Sequence, residues 1–198
     1  MLLIFLTAGA FVGVVGRSSA ESVAYFMLSL IPARFAVMVL FVVACFVSIA
    51  MGTSVGTITL IVPIAAAVSD ASGFGLPLCI GSVMGGAMFG DNLSMISDTT
   101  IAAVRTQGCE MKDKFRMNFF IVLPAAILTL VIFIALTWGG SGQPEIGTYS
   151  VWKVLPYLVV LVGAVAGVNV FLILTIGAVL SLIVGVAPAP FPGPRSSL

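Results

Sequence analysis

Long apolar runs alternate with short polar stretches along the chain, and this pattern predicts helices that cross a membrane. A helix needs roughly 20 predominantly apolar residues to cross the hydrocarbon core, and several of these runs are shorter. The polar stretch at 17–34 contains Arg17 and Arg34 and is predicted to be a loop. The apolar runs lie at about 1–16, 35–51, 57–69, 75–90, 118–138, 153–166 and 168–186.

Two polar breaks interrupt the apolar pattern. The first is GTSVGT at 52–57, the following run contains Pro63, and the second break lies at 90–98. Short segments interrupted by Gly or Pro are typical of discontinuous transporter helices, and non-helical backbone at membrane depth must be buried by protein or line water. Both breaks are therefore predicted to form the functional site, with 35–69 either crossing twice or forming a re-entrant hairpin. A simple hairpin turn is the alternative for the first break.

Glycines follow one another at four-residue spacing in the run before the second break. Gly81 and Gly85 form one such pair, and Gly86 and Gly90 form another. This spacing lets the backbones of two membrane helices approach closely. We interpret these glycines as packing residues.

The composition supports the membrane assignment and limits which side chains could carry a proton. Hydrophobic residues are 61% of the 198 and charged residues 8%, against about 25% charged in soluble domains. The chain is therefore predicted to be an all-α polytopic membrane protein. The net charge of +1 gives no basis for binding nucleic acid, and without histidine a proton must be carried by a carboxylate. The three cysteines, at 45, 79 and 109, are interpreted as free thiols that fill space.

The positions of Lys and Arg predict the orientation. Four of the eight lie in 105–116, which places that segment in the cytoplasm by the positive-inside rule. The segment 139–152 has neither residue and is one crossing away, so it is predicted to lie outside. An odd number of crossings separates 17–34 from 105–116, which also places 17–34 outside.

The second break carries the most specific candidate chemistry. Asp91, Ser94 and Asp98 share one face if the segment is helical, and backbone carbonyls become available if it unwinds after Gly90. Such an oxygen set suits a hard cation such as Na⁺. The alternative is that both aspartates cap helices at a membrane surface, which the sequence of Asp98 before Thr99 favours.

A buried carboxylate could exchange one cation for another. Burial disfavours the ionised form of a carboxylate, whereas a bound cation favours it, and an ionised carboxylate at the bilayer centre costs about 2.5–3.5 kcal/mol on insertion scales. One site can then hold a proton or a cation in turn. That competition is the minimal mechanism of an antiporter.

The two breaks together resemble the NhaC-type sodium/proton antiporter family of the ion-transporter superfamily. The matching elements are MGTSVGTITLIVPIA and GSVMGGAMFGDNLSMISDTTIAAVRTQGCEMKDKFRMNF, and the resemblance is strongest over 35–138. It implies two inverted repeats with the ion site at discontinuous helices near the midplane. The implied ion-binding residues are Thr53, Ser54 and Thr57 in the first break, and Asp91, Asn92, Ser94, Ser97, Asp98 and Thr99 in the second. Asp91 and Asp98 are the implied Na⁺ carboxylates.

Members of this family have roughly twice as many residues, so the resemblance implies one repeat plus the start of a second. We expect a first repeat at 1–138, an extracytoplasmic loop at 139–152 and the first hairpin of a second repeat at 153–186. The proline-rich tail at 187–198 is predicted to be disordered. The chain would then be a fragment, a truncated gene product or one part of a split transporter, in which a second copy or a partner chain supplies the missing repeat.

The sequence predicts a secondary transporter that exchanges Na⁺ for H⁺ across a prokaryotic plasma membrane, without a cofactor. One alternative is a Na⁺- or H⁺-coupled transporter of a small carboxylate or amino acid, although no Lys or Arg lies at membrane depth to bind an anion. Another is a non-transporting membrane subunit. An enzyme is not favoured, because the sequence has no nucleophile–base pair and no cofactor motif.

Overall fold

A computed structural model describes residues 2–139, 147, 149–166, 168 and 170–186. Every regular element in these ranges is helical, as predicted. A short 3₁₀ turn at Ala33–Phe35 precedes the second helix. The helices are α1 (Leu2–Leu30), α2 (Ala36–Met51), α3 (Ser54–Ser72), α4 (Leu76–Leu93), α5 (Asp98–Gln107), α6 (Met111–Trp138), α7 (Val151–Val165) and α8 (Val170–Val186).

Three helical stretches are long and apolar enough to cross a membrane. They are Ala33–Met51, Ser54–Ser72 and Met111–Trp138, and shorter apolar helices lie at Val151–Gly163 and Leu172–Val184. The segment 35–69 therefore forms two long helices rather than a short re-entrant hairpin. This architecture confirms the assignment as an all-α membrane protein.

The first helix is longer than the apolar pattern predicts. The prediction of a loop at 17–34 is wrong, because α1 continues to Leu30. Its polar stretch is rich in small residues, and Ser19, Ala20, Ser22 and Ala24 are all buried in the fold, where α1 packs against α3. Small side chains allow close helix contact, so this segment stays helical although its hydropathy is low.

Glycines bring α2 and α4 together. A methyl group on Gly86 would collide with the Phe41 carbonyl, and one on Gly90 would collide with the Cys45 carbonyl. The matching order of these contacts shows that α2 and α4 run parallel. The packing prediction therefore holds for Gly86 and Gly90, whereas a methyl group on Gly81 would meet open space.

The remaining helices place the two polar breaks at one end of the bundle. Phe133 of α6 contacts Phe41 of α2 with ring centroids 5.7 Å apart, while the first turns of α6 reach the end of α4. α6 therefore runs antiparallel to α2. The ends of α2 and α4 meet the starts of α3, α5 and α6, and we call this region the polar end.

The opposite end of the bundle carries the segment before α7. Tyr149 Oη lies 3.4 Å from Ser29 Oγ, and the Tyr25 ring lies beside Gly147. The described part of 139–152 therefore lies opposite 105–116, and the membrane face of each end remains a prediction. The rest of that loop and the predicted disordered tail at 187–198 fall outside the described residues.

Candidate cation site

The second break is shorter than predicted. Helix α4 continues through Gly90 and Asp91 to Leu93, so only 94–97 lies between α4 and α5. Gly90 remains helical because it lacks a side chain at its contact with the α2 backbone. The predicted start of the break at Gly90 is therefore wrong by about one helical turn. Because the helix ends between them, Asp91 and Asp98 do not share one helical face.

The two breaks contact each other through their backbones. Ser94 is buried, and its hydroxyl donates to the Ile49 carbonyl near the end of α2 at 2.8 Å. Gly52 has a positive φ of 66°, and a methyl group there would lie 3.0 Å from the Ile96 carbonyl carbon. Glycine is needed at Gly52 for both its backbone conformation and this contact. The two breaks therefore lie against each other at the polar end.

The hydroxyl groups of the first break have local partners. Thr53 Oγ1 accepts a hydrogen bond from the Gly56 amide at 3.4 Å, which caps the start of α3. The fully buried Thr57 hydroxyl donates to the Thr53 carbonyl at 2.9 Å, and Ser54 is half-buried. The first break thus has the geometry of a capped hairpin turn, and its backbone rather than its hydroxyls meets the second break.

The polar residues of the second break lie on both sides of the start of α5. Ser97 is buried, and its hydroxyl lies 2.9 Å from that of the exposed Thr99. Asn92 is exposed, and its side-chain amide donates to the Met88 carbonyl. Asp98 is the first residue of α5, where a negative charge is favoured by the helix dipole. Its side chain falls outside the described residues.

Asp91 supplies the most distinctive atom of the site. Its Oδ1 is buried and has no hydrogen-bond partner among the described residues. A buried polar atom is normally paired, because leaving it without a partner is costly. A proton or a cation would satisfy this oxygen.

The structure adds Lys114, Asn118 and Thr100 to the candidate site. The Lys114 ammonium donates to the Asn92 carbonyl at 2.6 Å and to Thr100 Oγ1 at 2.9 Å. Asn118 Nδ2 donates to the same carbonyl at 3.2 Å. The charge pattern assigns Lys114 only to the polar segment 105–116, whereas in the structure α6 already begins at Met111. The four-residue spacing of Lys114 and Asn118, which puts both on one helix face, is the signal that could have found them.

The arrangement favours a positive charge held by oxygen atoms. The carboxyl ends of α2 and α4 meet here, and carbonyls at helix carboxyl ends carry partial negative charge. Within the described residues, no three His, Cys, Asp or Glu side chains form a group that could hold a metal ion. Among the described residues, the polar end thus holds the partly buried Asp91 carboxylate at the same end of the bundle as the hydroxyls of Ser94, Ser97 and Thr99.

Comparison with known proteins gives an assignment that is independent of this geometry. Residues 1–138, from the first residue to the end of α6, match the Na⁺/H⁺ antiporter family. The chain belongs to the Na⁺/H⁺ antiporter family. The match includes both breaks and all three residues that the structure adds to the site. No solved structure is significantly similar to the chain.

Three bacterial proteins that are similar to the chain are named as two different kinds of antiporter. The chain is 25% identical to the malate-2H⁺/Na⁺-lactate antiporter of Bacillus subtilis (92% of the chain, 42% of the relative). It is 28% identical to the Na⁺/H⁺ antiporter NhaC of B. subtilis (73% and 35%). Against the Na⁺/H⁺ antiporter NhaC of Alkalihalophilus pseudofirmus it is 30% identical (68% and 28%). The chain therefore spans less than half the length of these relatives.

Proposed function

We propose that the protein is part of a secondary transporter that exchanges Na⁺ for H⁺ across a prokaryotic plasma membrane. The observation that carries the proposal is the buried Oδ1 of Asp91, which has no hydrogen-bond partner among the described residues. Asp91 lies in the last turn of α4, next to the second break. Membership of the antiporter family supports the same assignment. In this proposal the protein acts as a transporter and catalyses no covalent chemistry.

The exchange follows from competition for Asp91. A bound Na⁺ favours the ionised carboxylate, and a proton takes its place when the cation leaves. Neutral oxygens of Asn92, Ser94, Ser97 and Thr99 supply further ligands, and Asp98 supplies a second carboxylate. The side chains of Thr53 and Thr57 hold the turn of the facing break, and Thr53, Ser54 and Thr57 remain candidate ligands.

The Asp91→Asn variant tests this proposal. The substitution keeps the size of the side chain but removes the charge and the exchangeable proton. We expect it to abolish Na⁺-dependent proton movement, measured with a pH-sensitive dye in everted membrane vesicles. The substitution is made in the gene of the source organism, so that any partner chain is retained.

Asp113→Asn is the matched control, because Asp113 is exposed in the first turn of α6 at the same end of the bundle. It is expected to leave exchange unchanged. Immunoblots of the vesicles check that both variants reach the membrane. Undiminished exchange in Asp91→Asn vesicles would rule out the assigned role of Asp91.

A second candidate is exchange coupled to a small carboxylate. The lack of Lys and Arg at membrane depth in the sequence pattern argues against an organic anion, but the structure brings the Lys114 ammonium to the second break. One relative is named as a malate-2H⁺/Na⁺-lactate antiporter. Proton movement driven by a malate or lactate gradient, in the same vesicles without Na⁺/H⁺ exchange, would favour this candidate.

A further inference from the structure

Lys114 holds a positive charge where the proposed function places a transported cation. Its ammonium donates to the Asn92 carbonyl at the end of α4 and to Thr100 Oγ1 in the first turns of α5. It is also electrostatically attracted to Asp91. One side chain from α6 therefore links the end of α4, the start of α5 and the candidate carboxylate.

The Asn92 carbonyl cannot serve Na⁺ and both of its present donors. A carbonyl oxygen has two lone pairs, and here Lys114 and Asn118 each donate to it. A Na⁺ ion that bound this oxygen would have to displace one donor. The ammonium is the group that it would displace, because two cations beside Asp91 repel each other whereas the Asn118 amide is neutral.

We propose that Lys114 is a tethered cation that occupies the site in the absence of Na⁺ and is displaced when Na⁺ binds. This inference rests on the proposed function and adds to it an internal competitor. The ammonium compensates the Asp91 charge while no ion is bound. Its displacement frees the start of α6 from α4 and α5, so that ion binding is coupled to the contact between these helices.

A purely structural role makes different predictions. In that role Lys114 only satisfies a carbonyl at the end of α4, and another hydrogen-bond donor would serve equally well. Lys114→Gln keeps a donor and removes the charge, whereas Lys114→Arg keeps the charge. Lys112 lies in the same turn and is exposed, so Lys112→Gln is the matched control for loss of a positive charge.

Binding of radioactive ²²Na⁺ to membrane vesicles from the source organism, in which any partner chain is retained, is the first measurement. We expect Lys114→Gln to bind Na⁺ several-fold more tightly than the wild type, and Lys114→Arg and Lys112→Gln to bind like the wild type. Asp91→Asn should lose binding. Equal affinity in the wild type and Lys114→Gln would overturn the tethered-cation role and leave the proposed function standing. Absence of Na⁺ binding in every form, including Lys114→Gln, would overturn both.

Amine acetylation followed by mass spectrometry is the second measurement, with Lys112 as the internal reference. In the wild type, we expect labelling of Lys114 to rise several-fold when Na⁺ replaces N-methylglucamine. In Asp91→Asn it should be high in both buffers, because the attraction to the carboxylate is gone. Labelling of Lys114 that responds neither to Na⁺ nor to the Asp91 substitution would overturn the inference.

Discussion

At the scale of single residues, the polar side chains of the polar end differ in whether they have a hydrogen-bond partner among the described residues. The Thr53 and Thr57 hydroxyls are used within the α2–α3 turn, whereas Asp91 Oδ1 has no described partner. The sequence could predict which residues form the breaks, because Gly, Thr and Asp there interrupt an apolar pattern. It could not predict their partners, since a hydroxyl serves equally well as a helix cap or as an ion ligand.

Thr53 provides a test of that distinction. Thr53→Val removes the oxygen that caps α3 and keeps the shape of the side chain, so we expect the chain to lose about 1 kcal/mol of stability. Thr53→Ser keeps the cap and should retain most of it. Denaturation in detergent, followed by circular dichroism, measures the change. A Thr53→Val variant that unfolds like the wild type but binds Na⁺ weakly would show a ligand role instead.

At the scale of the helices, side-chain size decides where the hydropathy pattern succeeds and fails. Helix α2 matches its predicted run at 35–51, whereas α3 already begins at Ser54, inside the predicted first break, and continues to Ser72. The polar stretch of α1 does not fit the hydropathy pattern, since Ser19 and Ser22 are buried in a fold where α1 packs against α3, α7 and α8. Lys114 was missed for a related reason: its partner, the Asn92 carbonyl, belongs to a helix end that the sequence placed one turn too early.

The two glycine pairs of α4 give a matched prediction about packing. Gly90→Ala places a methyl group against the Cys45 carbonyl and Ser48 Cβ, so α4 must move away from α2. We expect lower expression and a lower unfolding midpoint in detergent. Gly81→Ala adds the same methyl group in open space and should be neutral or stabilising by about 0.5–1 kcal/mol. Equal effects of the two substitutions would contradict the close contact of α2 and α4.

At the scale of the whole molecule, the two ends of the bundle differ in chemistry and should face opposite sides of the membrane. Cys109 is exposed between α5 and α6, whereas Cys45 and Cys79 are buried. A membrane-impermeant maleimide should therefore label the chain in inside-out vesicles and not in intact cells. Arg34→Cys in a Cys109→Ser background, which moves the thiol to the opposite end, should reverse this result. Labelling of Cys109 in intact cells would invert the predicted orientation.

The exposure of α6 is relevant to whether the chain can exchange ions without a second copy or a partner chain. Only 6% of its most apolar stretch is buried, against 50% and 56% for the stretches that include α2 and α3. This helix also carries Lys114, so a proposed site residue lies on the element that is least enclosed. Lipid can cover its apolar surface, but lipid cannot supply further protein ligands for a cation. A second copy or a partner chain can do both.

We therefore expect the purified chain to exchange little Na⁺ when it is reconstituted alone. The measurement is ²²Na⁺ uptake into proteoliposomes driven by an outward proton gradient, at several ratios of protein to lipid. Asp91→Asn proteoliposomes provide the background, and uptake by the wild type should not exceed it at low protein density. Robust uptake that rises with the square of protein density would show that two copies complete the transporter. Uptake proportional to protein density would show that one chain suffices, and would contradict the expectation that the site needs a second unit.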